Sequence, residues 1–466
     1  MDIASWRGHC RQAISMRLLA VLSPQSRSLL PSPDMDSKFS MQPSAQNLSN
    51  VTCPFCGLAC DDLTLAKSTS GLSVMKNGCA IASASFRELG SRDALKAAPR
   101  LAGRATTLDH AIAAAANILA DAKAPLIAGF GTDVSGARAT LALADRIGAV
   151  VDHMNMPAKL RNLLTLQNGG WITTTLTEVK NRADFILFIG GGVVQRFPRF
   201  LERVVWPKDA MFVDPASARK IVFLGDVENL SVTSSCPITR LHCENAALPR
   251  IVPALRALVN GQPLGATQFA PSDRRCLQEL AEQMHQASYG VIVWVAPDFD
   301  FPHGELTIQT IAEMIKDLNR TTRFAGLPLG GSDGDFSANG TQTWQTGFPM
   351  RSRYAKNGLD YDPYRHSSDA LIAANEIDAL LWISSFNAGS TAPHADIPSV
   401  VLGTPNMAFE REPDVFIPIA TPGIHHAGHF IRADKVVVMR LKQLVENNLP
   451  SVAAIANRIL TAMPSR

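Results

Sequence analysis

Short runs of continuously apolar residues punctuate the chain and alternate with stretches whose apolar positions recur at helical spacing. Pro125-Leu126-Ile127-Ala128-Gly129 reads as a buried strand, and Gly136 to Ile147 follows it with apolar residues on one helical face. Further apolar runs predict strands over Phe185 to Ile189, Ala210 to Val213, Gly290 to Val295, Ala379 to Ile383, Ser399 to Leu402 and Val415 to Ile419. Strands that are apolar throughout are covered on both faces. The pattern therefore predicts an α/β fold of parallel sheets, arranged as two lobes over residues 101–440. Residues 441–466 read as a helical tail with Leu441, Leu444 and Val445 on one side. Residues 1–49, rich in Ser, Pro, Met and Gln, are expected to be a disordered extension, with Met35 or Met41 as possible true starts. Leu18 to Leu22 is too short for a secretory core, no stretch reaches the roughly 18 apolar residues of a spanning helix, and no fixed-period repeat is present.

Composition supports a folded chain of several domains. At about 150 residues per domain, 466 residues make roughly two to four. Hydrophobic residues at 46% and charged residues at 18% exclude a disordered protein. Lys plus Arg (44) against Asp plus Glu (41) leaves +3, too small a bias to argue for nucleic acid or an anionic membrane.

The eight cysteines change the picture because four of them, Cys53, Cys56, Cys60 and Cys79, crowd one segment while Cys10, Cys236, Cys243 and Cys276 are scattered. A chain of this size gains little from disulfides, so the cluster points to metal binding in a reducing compartment, and a cytoplasmic location is expected. Four thiolates satisfy a 4Fe–4S cube, commonly held by a tight loop giving three of them and a distant fourth. Tetrahedral zinc would use the same atoms. Zinc sites usually pair two Cys-x₂-Cys knuckles; here the third cysteine follows at x₃ and the fourth stands alone, which favours iron and sulfur. An empty site of buried thiols is the remaining reading. Residues 50–100 are assigned to this cysteine-cluster domain.

CPFCGLACDDL followed by NGCA resembles the amino-terminal cluster domain of molybdopterin oxidoreductases, and most resembles the B subunit of the tungsten or molybdenum formylmethanofuran dehydrogenases. The likeness continues through Pro125 to Asp152, Asp184 to Arg199 and Val213 to Pro215, and resumes at Asn319 to Phe324, Thr343 to Pro349 and Val415 to Asp434. Dispersed motifs in the right order make the resemblance specific. It implies a molybdopterin-oxidoreductase-like architecture, a small cysteine-cluster domain plus two α/β lobes, without the carboxy-terminal barrel that single-chain relatives append.

The sequence departs from the redox members where they hold the metal. The stretch corresponding to their cysteine or selenocysteine ligand, Asp152 to Leu160, contains no cysteine, and His153 and Met154 read better as packed residues. Gly190-Gly191-Gly192 lacks the polar side chain of the relatives' Gly-x-Asn-Pro-like turn and reads equally as a tight strand-to-helix corner. Gly129-Phe130-Gly131 with Gly136 falls short of the dinucleotide fingerprint, and Ser384 to Ala388 lacks the acidic residue of the matching turn. Gly423 and Gly428 bracket His425, His426 and His429 and argue for loop histidines over a helical zinc site. Asp61-Asp62 suits a helix cap.

Three functions stay open. The favoured one is a structural, redox-inactive B subunit of a formyltransferase/hydrolase complex in tetrahydromethanopterin-linked oxidation of formaldehyde to formate. Its expected partners are amidohydrolase-like, formyltransferase-like and barrel-bearing subunits. The others are a catalytic tungsten or molybdenum subunit and a zinc-stapled α/β binding protein. No catalytic or cofactor-binding residue is assigned. The metal-site expectation is Cys53, Cys56, Cys60 and Cys79, holding a 4Fe–4S cluster, with zinc or an empty site as alternatives, and a tungsten or molybdenum pterin is not expected.

Overall fold

The computed structural model of the protein describes residues 46–214, 219–227, 238–265, 267 and 269–464. In chain order the strands are β1 (Gln46–Val51), β2 (Leu63–Ser68), β3 (Gly71–Lys76), β4 (Arg100–Leu101), β5 (Arg104–Ala105), β6 (Pro125–Gly131) and β7 (Val150–Val151). There follow β8 (Phe185–Ile189), β9 (Lys220–Leu224), β10 (Ile238–Leu241), β11 (Gly290–Val295), β12 (Phe324–Leu329), β13 (Ser352–Ala355) and β14 (Gly358–Tyr361). The last are β15 (Ala379–Ser384), β16 (Ser399–Gly403), β17 (Val415–Pro418), β18 (Gly428–Ile431) and β19 (Val438–Leu441).

Two parallel sheets form the body. One runs β10-β9-β8-β11-β12, parallel throughout. The other runs β14-β13-β7-β6-β15-β16-β17-β4-β5, with the segment β7 to β17 parallel and antiparallel pairs at both edges. Every residue of β6, β8, β11, β12 and β15 is buried, as uninterrupted apolar strands require. A separate antiparallel sheet, β1-β2-β3, precedes them.

In each large sheet the strand order reverses once. The chain steps outward from β8 to β9 and β10, then places β11 and β12 on the other side of β8. Likewise β6 leads outward to β7, while β15, β16 and β17 extend the opposite way. Crevices form at such reversals, outside the carboxyl ends of the strands.

Three sequence expectations are corrected. Ala210 to Val213 is not a strand: Met211 and Phe212 are exposed, and the strand beside β8 is β9, whose Ile221, Val222, Phe223 and Leu224 are buried. A run of apolar residues carries no mark of which side of the surface it occupies. The tail is helical only over Val452–Ala462; Leu441 ends β19, and Leu444 and Val445 lie in irregular chain. Pro450 disfavours helix at the residue before it, and Ser451 starts the helix by accepting a hydrogen bond from the Ala454 N–H at 3.2 Å. The extension expected over 1–49 lies outside the described residues as far as 45, and Gln46 to Ser49 belong to β1. Among the described residues no helix is long and apolar enough to cross a membrane.

Candidate functional site

The Cys53 N–H donates to the Cys60 carbonyl at 2.8 Å and closes the loop between them. Gly57, at φ +77°, lets that loop press on the turn after β12: a Cβ there would lie 2.3 Å from the Gly330 oxygen. Cys53, Cys56 and Cys60 are buried, and Cys79 is half-buried at the start of helix Ala80–Leu89, where its sulfur accepts from the Ala82 N–H. Burial, and then repulsion from the neighbouring thiolates, pushes the Cys53 thiol well up. Burial likewise pushes Cys56 up to about 12 and Cys60 to about 11, with Arg203 and Arg199 opposing at Cys60. The charge of Cys79 acts on all three others. The structure thus gathers the four sulfurs into one electrostatic neighbourhood. Among the described residues, however, no three or more His, Cys, Asp or Glu side chains close around a single ion position. Cys243 and Cys276 are half-buried; Cys10 and Cys236 lie outside the described residues.

Asp61 and Asp62 are not a helix cap. Asp62 receives both guanidinium nitrogens of Arg199, at 2.7 and 2.9 Å, and also pairs with Arg203, which reaches Asp61 at 2.7 Å. Burial opposes ionisation of Asp62, but the two arginines outweigh it and hold the carboxyl below the usual range. These pairs fasten the cysteine loop to the segment after β8.

A cavity of about 640 Å³ lies at the carboxyl ends of strands from both parallel sheets, bounded by Cys56, Lys159, Asp333, Asp335, Phe336 and Asn387 among others. Lys159 Nζ donates to the Asp335 carbonyl at 3.0 Å, lies 3.4 Å from its Oδ1 and sits 4.4 Å from the centre of the Phe336 ring. Burial lowers the Lys159 pKa against the pull of Asp335. Asp333, at φ +54°, is pushed up to about 6 by burial and by Asp335, with a hydrogen bond from Asn155 opposing. Sequence reasoning did not single out Asp333 or Asp335. The signal was the Gly330-Gly331-Ser332-Asp333-Gly334-Asp335 run directly after a buried strand, a turn built to bring backbone close to a site.

In the stretch from Asp152 to Lys159 the carboxylate and the imidazole are both engaged within the chain. Asp152 is buried, 3.4 Å from Arg351, and accepts from the Ser368 N–H at 2.8 Å. His153 Nδ1 accepts from the Asn155 N–H at 3.0 Å, so Nε2 carries the proton and donates to the Asp333 carbonyl at 3.3 Å. Desolvation holds it neutral, down at about 4. Met154 packs among apolar side chains and reaches toward Gly131.

At each glycine corner a carboxylate takes one backbone donor. Asp133 caps helix Val134–Ile147, its Oδ1 accepting from the Gly136 N–H at 3.0 Å. Asp298, just beyond β11, lies across Gly190 and Gly192 and accepts from the Gly192 N–H at 2.8 Å. At the third turn, Ser385 Oγ donates to the Gly131 carbonyl and Ser384 Oγ to the Asn387 carbonyl. A pterin dinucleotide needs open backbone donors for its phosphates and a soft ligand for its metal; here the Gly136 and Gly192 N–H groups are taken by Asp133 and Asp298.

The three histidines do not converge either. His425 is buried, accepts from the Thr421 N–H at Nδ1 and donates from Nε2 to the Leu89 carbonyl at 3.0 Å; desolvation holds it down at about 4. His426 bonds the Ala427 carbonyl, and His429 is exposed on β18.

No family model matches the chain. Over 410 residues it is 26% identical to the B subunit of the tungsten-containing formylmethanofuran dehydrogenase 2 of Methanocaldococcus jannaschii, a match covering 85% of this chain and 93% of that one. Over 367 residues it is 28% identical to the B subunit of the formyltransferase/hydrolase complex Fhc of Methylorubrum extorquens, covering 78% and 96%. This chain is a homologue of those B subunits. A chain in the crystal structure of the formyltransferase/hydrolase complex FhcABCD from Methylorubrum extorquens, in complex with methylofuran, superposes with a TM-score of 0.66 at 27% identity. That match spans 78% of this chain and 97% of the other. The mixed α/β fold with parallel sheets expected from the apolar runs is therefore shared with that chain of the complex.

Proposed function

We propose that this chain serves as the B subunit of a formyltransferase/hydrolase complex in tetrahydromethanopterin-linked oxidation of formaldehyde to formate, in a structural role that involves no redox chemistry of its own. The carrying observation is the segment from Asp152 to Lys159: its one imidazole is committed to two backbone partners, its carboxylate to Arg351 and Ser368, and it presents no thiolate. The carboxylates on the Gly136 and Gly192 N–H groups and the homology to the Methylorubrum protein support the same reading. The partners are then amidohydrolase-like, formyltransferase-like and barrel-bearing subunits, and the assembly works in the cytoplasm.

Cys53, Cys56, Cys60 and Cys79 would hold a 4Fe–4S cluster as a staple between their loop and the helix Ala80–Leu89. Three cysteines from one tight loop and a fourth at the start of the following helix suit a cube better than the paired Cys-x₂-Cys knuckles usual for zinc. A bound cluster would keep the thiols ionised, which the buried loop alone opposes, and its binding free energy would be folding free energy for residues 50–100.

Co-expression with the three sister subunits tests the proposal. The purified assembly is expected to release formate from its formyl carrier without reducing a viologen dye, and omission of this chain is expected to lower the yield of assembled complex. Dye reduction dependent on this chain would instead support the catalytic tungsten reading, which the homology to the Methanocaldococcus enzyme keeps open.

A further inference from the structure

The 640 Å³ cavity combines an apolar wall with one uncompensated charge. Phe55, Leu89, Phe197, Leu329, Phe336 and Phe386 border it and are themselves buried, so it offers an occupant apolar surface and aromatic rings. The charged side chains on its lining are Glu88, Lys159, Arg196, Asp333 and Asp335. Glu88 and Arg196 are exposed and opposite in sign. Lys159 is spent on Asp335, through the carbonyl at 3.0 Å and the carboxylate at 3.4 Å. Asp333 is left over. The groups that act on its carboxylate are the like charge of Asp335 and the amide of Asn155, with no lysine or arginine among them. His153 is neutral and donates to the Asp333 carbonyl, away from the carboxylate. Lys435 sits over the rings of Phe336 and Trp171, 4.7 and 5.3 Å from their centres, and does not border the cavity. Asp333 is held in place by a left-handed backbone, φ +54°, a costly conformation for a residue with a side chain and one that recurs where ligands bind. At neutral pH its carboxylate is ionised but poorly solvated, and such a group gains most from a cation that brings N–H donors.

We propose that this cavity binds a small primary amine carried on an apolar or aromatic body, as its ammonium, with the nitrogen on the Asp333 carboxylate and the body against the ring-lined wall. The ammonium supplies the charge and the donors that Asp333 lacks, and burial of the body against the phenylalanines supplies the rest. An anion of the same shape meets Asp333 and Asp335 while the one nearby ammonium, Lys159, is already engaged. A neutral alcohol of that shape fits the wall and leaves the charge of Asp333 uncompensated. The inference stands on the cavity alone, so it and the assignment to the complex can fail separately.

The test is calorimetric titration of the full-length protein at neutral pH with three probes of one shape: benzylamine, benzyl alcohol and benzoate. The wild type is expected to bind benzylamine saturably, at one site, and at least about tenfold more tightly than benzyl alcohol, the worth of a charge-assisted hydrogen bond, and to show no saturable binding of benzoate. Asp333→Asn keeps the shape and suits the left-handed backbone, so it is expected to fold, to lose the preference for the amine and to bind the alcohol as the wild type does. Ala158→Phe, which sets a ring into the cavity from its lining, is expected to abolish binding of amine and alcohol alike. The wild-type ranking of the three probes decides the question even if a variant does not fold. Benzoate bound as tightly as benzylamine, no saturable binding of benzylamine, or an amine preference that survives in folded Asp333→Asn would each overturn the proposal.

Discussion

His153 and His425 are each neutral because burial denies them a proton, and each uses both ring nitrogens on backbone partners. Their folded values, near 4, lie below the ordinary imidazole value, about 6.5. The unfolded chain therefore binds the extra proton first as pH falls, and stability declines from about pH 6.5 down to about 4, by on the order of 3 kcal/mol per histidine over that span. Replacing His425 by Asn is expected to flatten this part of the profile of urea midpoint against pH, and an unchanged slope would show the imidazole to be solvated. Asp62 works with the opposite sign. Its folded value is depressed, so its contribution is present above the unfolded carboxyl value, about 4, and is lost as pH falls through the lower folded value. Arg199→Ala, which leaves Asp62 to Arg203, should cost about 1–3 kcal/mol at neutral pH, discounted because Asp62 is partly exposed, and less in acid. These roles were hidden in the sequence, where neither the partner of a histidine nor that of a carboxylate can be read.

Elements were more legible than residues. The strand β6 and the helix after it follow directly from an apolar run and a helical period, since both are covered on all or most of their surface. Ala210 to Val213 misled because an exposed apolar run and a buried one look alike locally; only the sheet, through β8 pairing with β9 from Phe185–Lys220 to Ile189–Leu224, selects between them. The closing helix was misplaced because the apolar residues Leu441, Leu444 and Val445 pack as strand end and loop. The cap that fixes its true start is testable: Ser451→Ala should lower stability by about 1 kcal/mol, seen as a shift in urea midpoint with unchanged slope. At the cysteine loop, Gly57→Ala meets both a left-handed backbone and the Gly330 carbonyl. It should destabilise by about 2 kcal/mol or more, and a variant as stable as wild type would show that the loop does not press on that turn.

On the scale of the whole molecule, the cysteine motif announced itself through spacing, while the cavity beside it did not. Lys159, Asp333, Asp335 and Asn387 come from segments up to more than two hundred residues apart, brought together only because both parallel sheets end on the same space. The sequence holds no thiolate between Asp152 and Leu160, and in the structure the Asp152 carboxylate and the His153 imidazole of that stretch are already bonded. If the four cysteines hold a structural cluster, Cys79→Ser should lower iron content and the unfolding temperature together, and a variant that loses iron at unchanged stability would assign the cluster some other task. The central claim is that this chain holds no tungsten or molybdenum pterin. Its most direct test is elemental analysis of the anaerobically purified, assembled protein, coupled to fluorescence detection of pterin released on denaturation. The account predicts neither metal nor pterin above background, with iron at about four atoms per chain; tungsten or molybdenum at about one per chain, released together with a pterin, would contradict it.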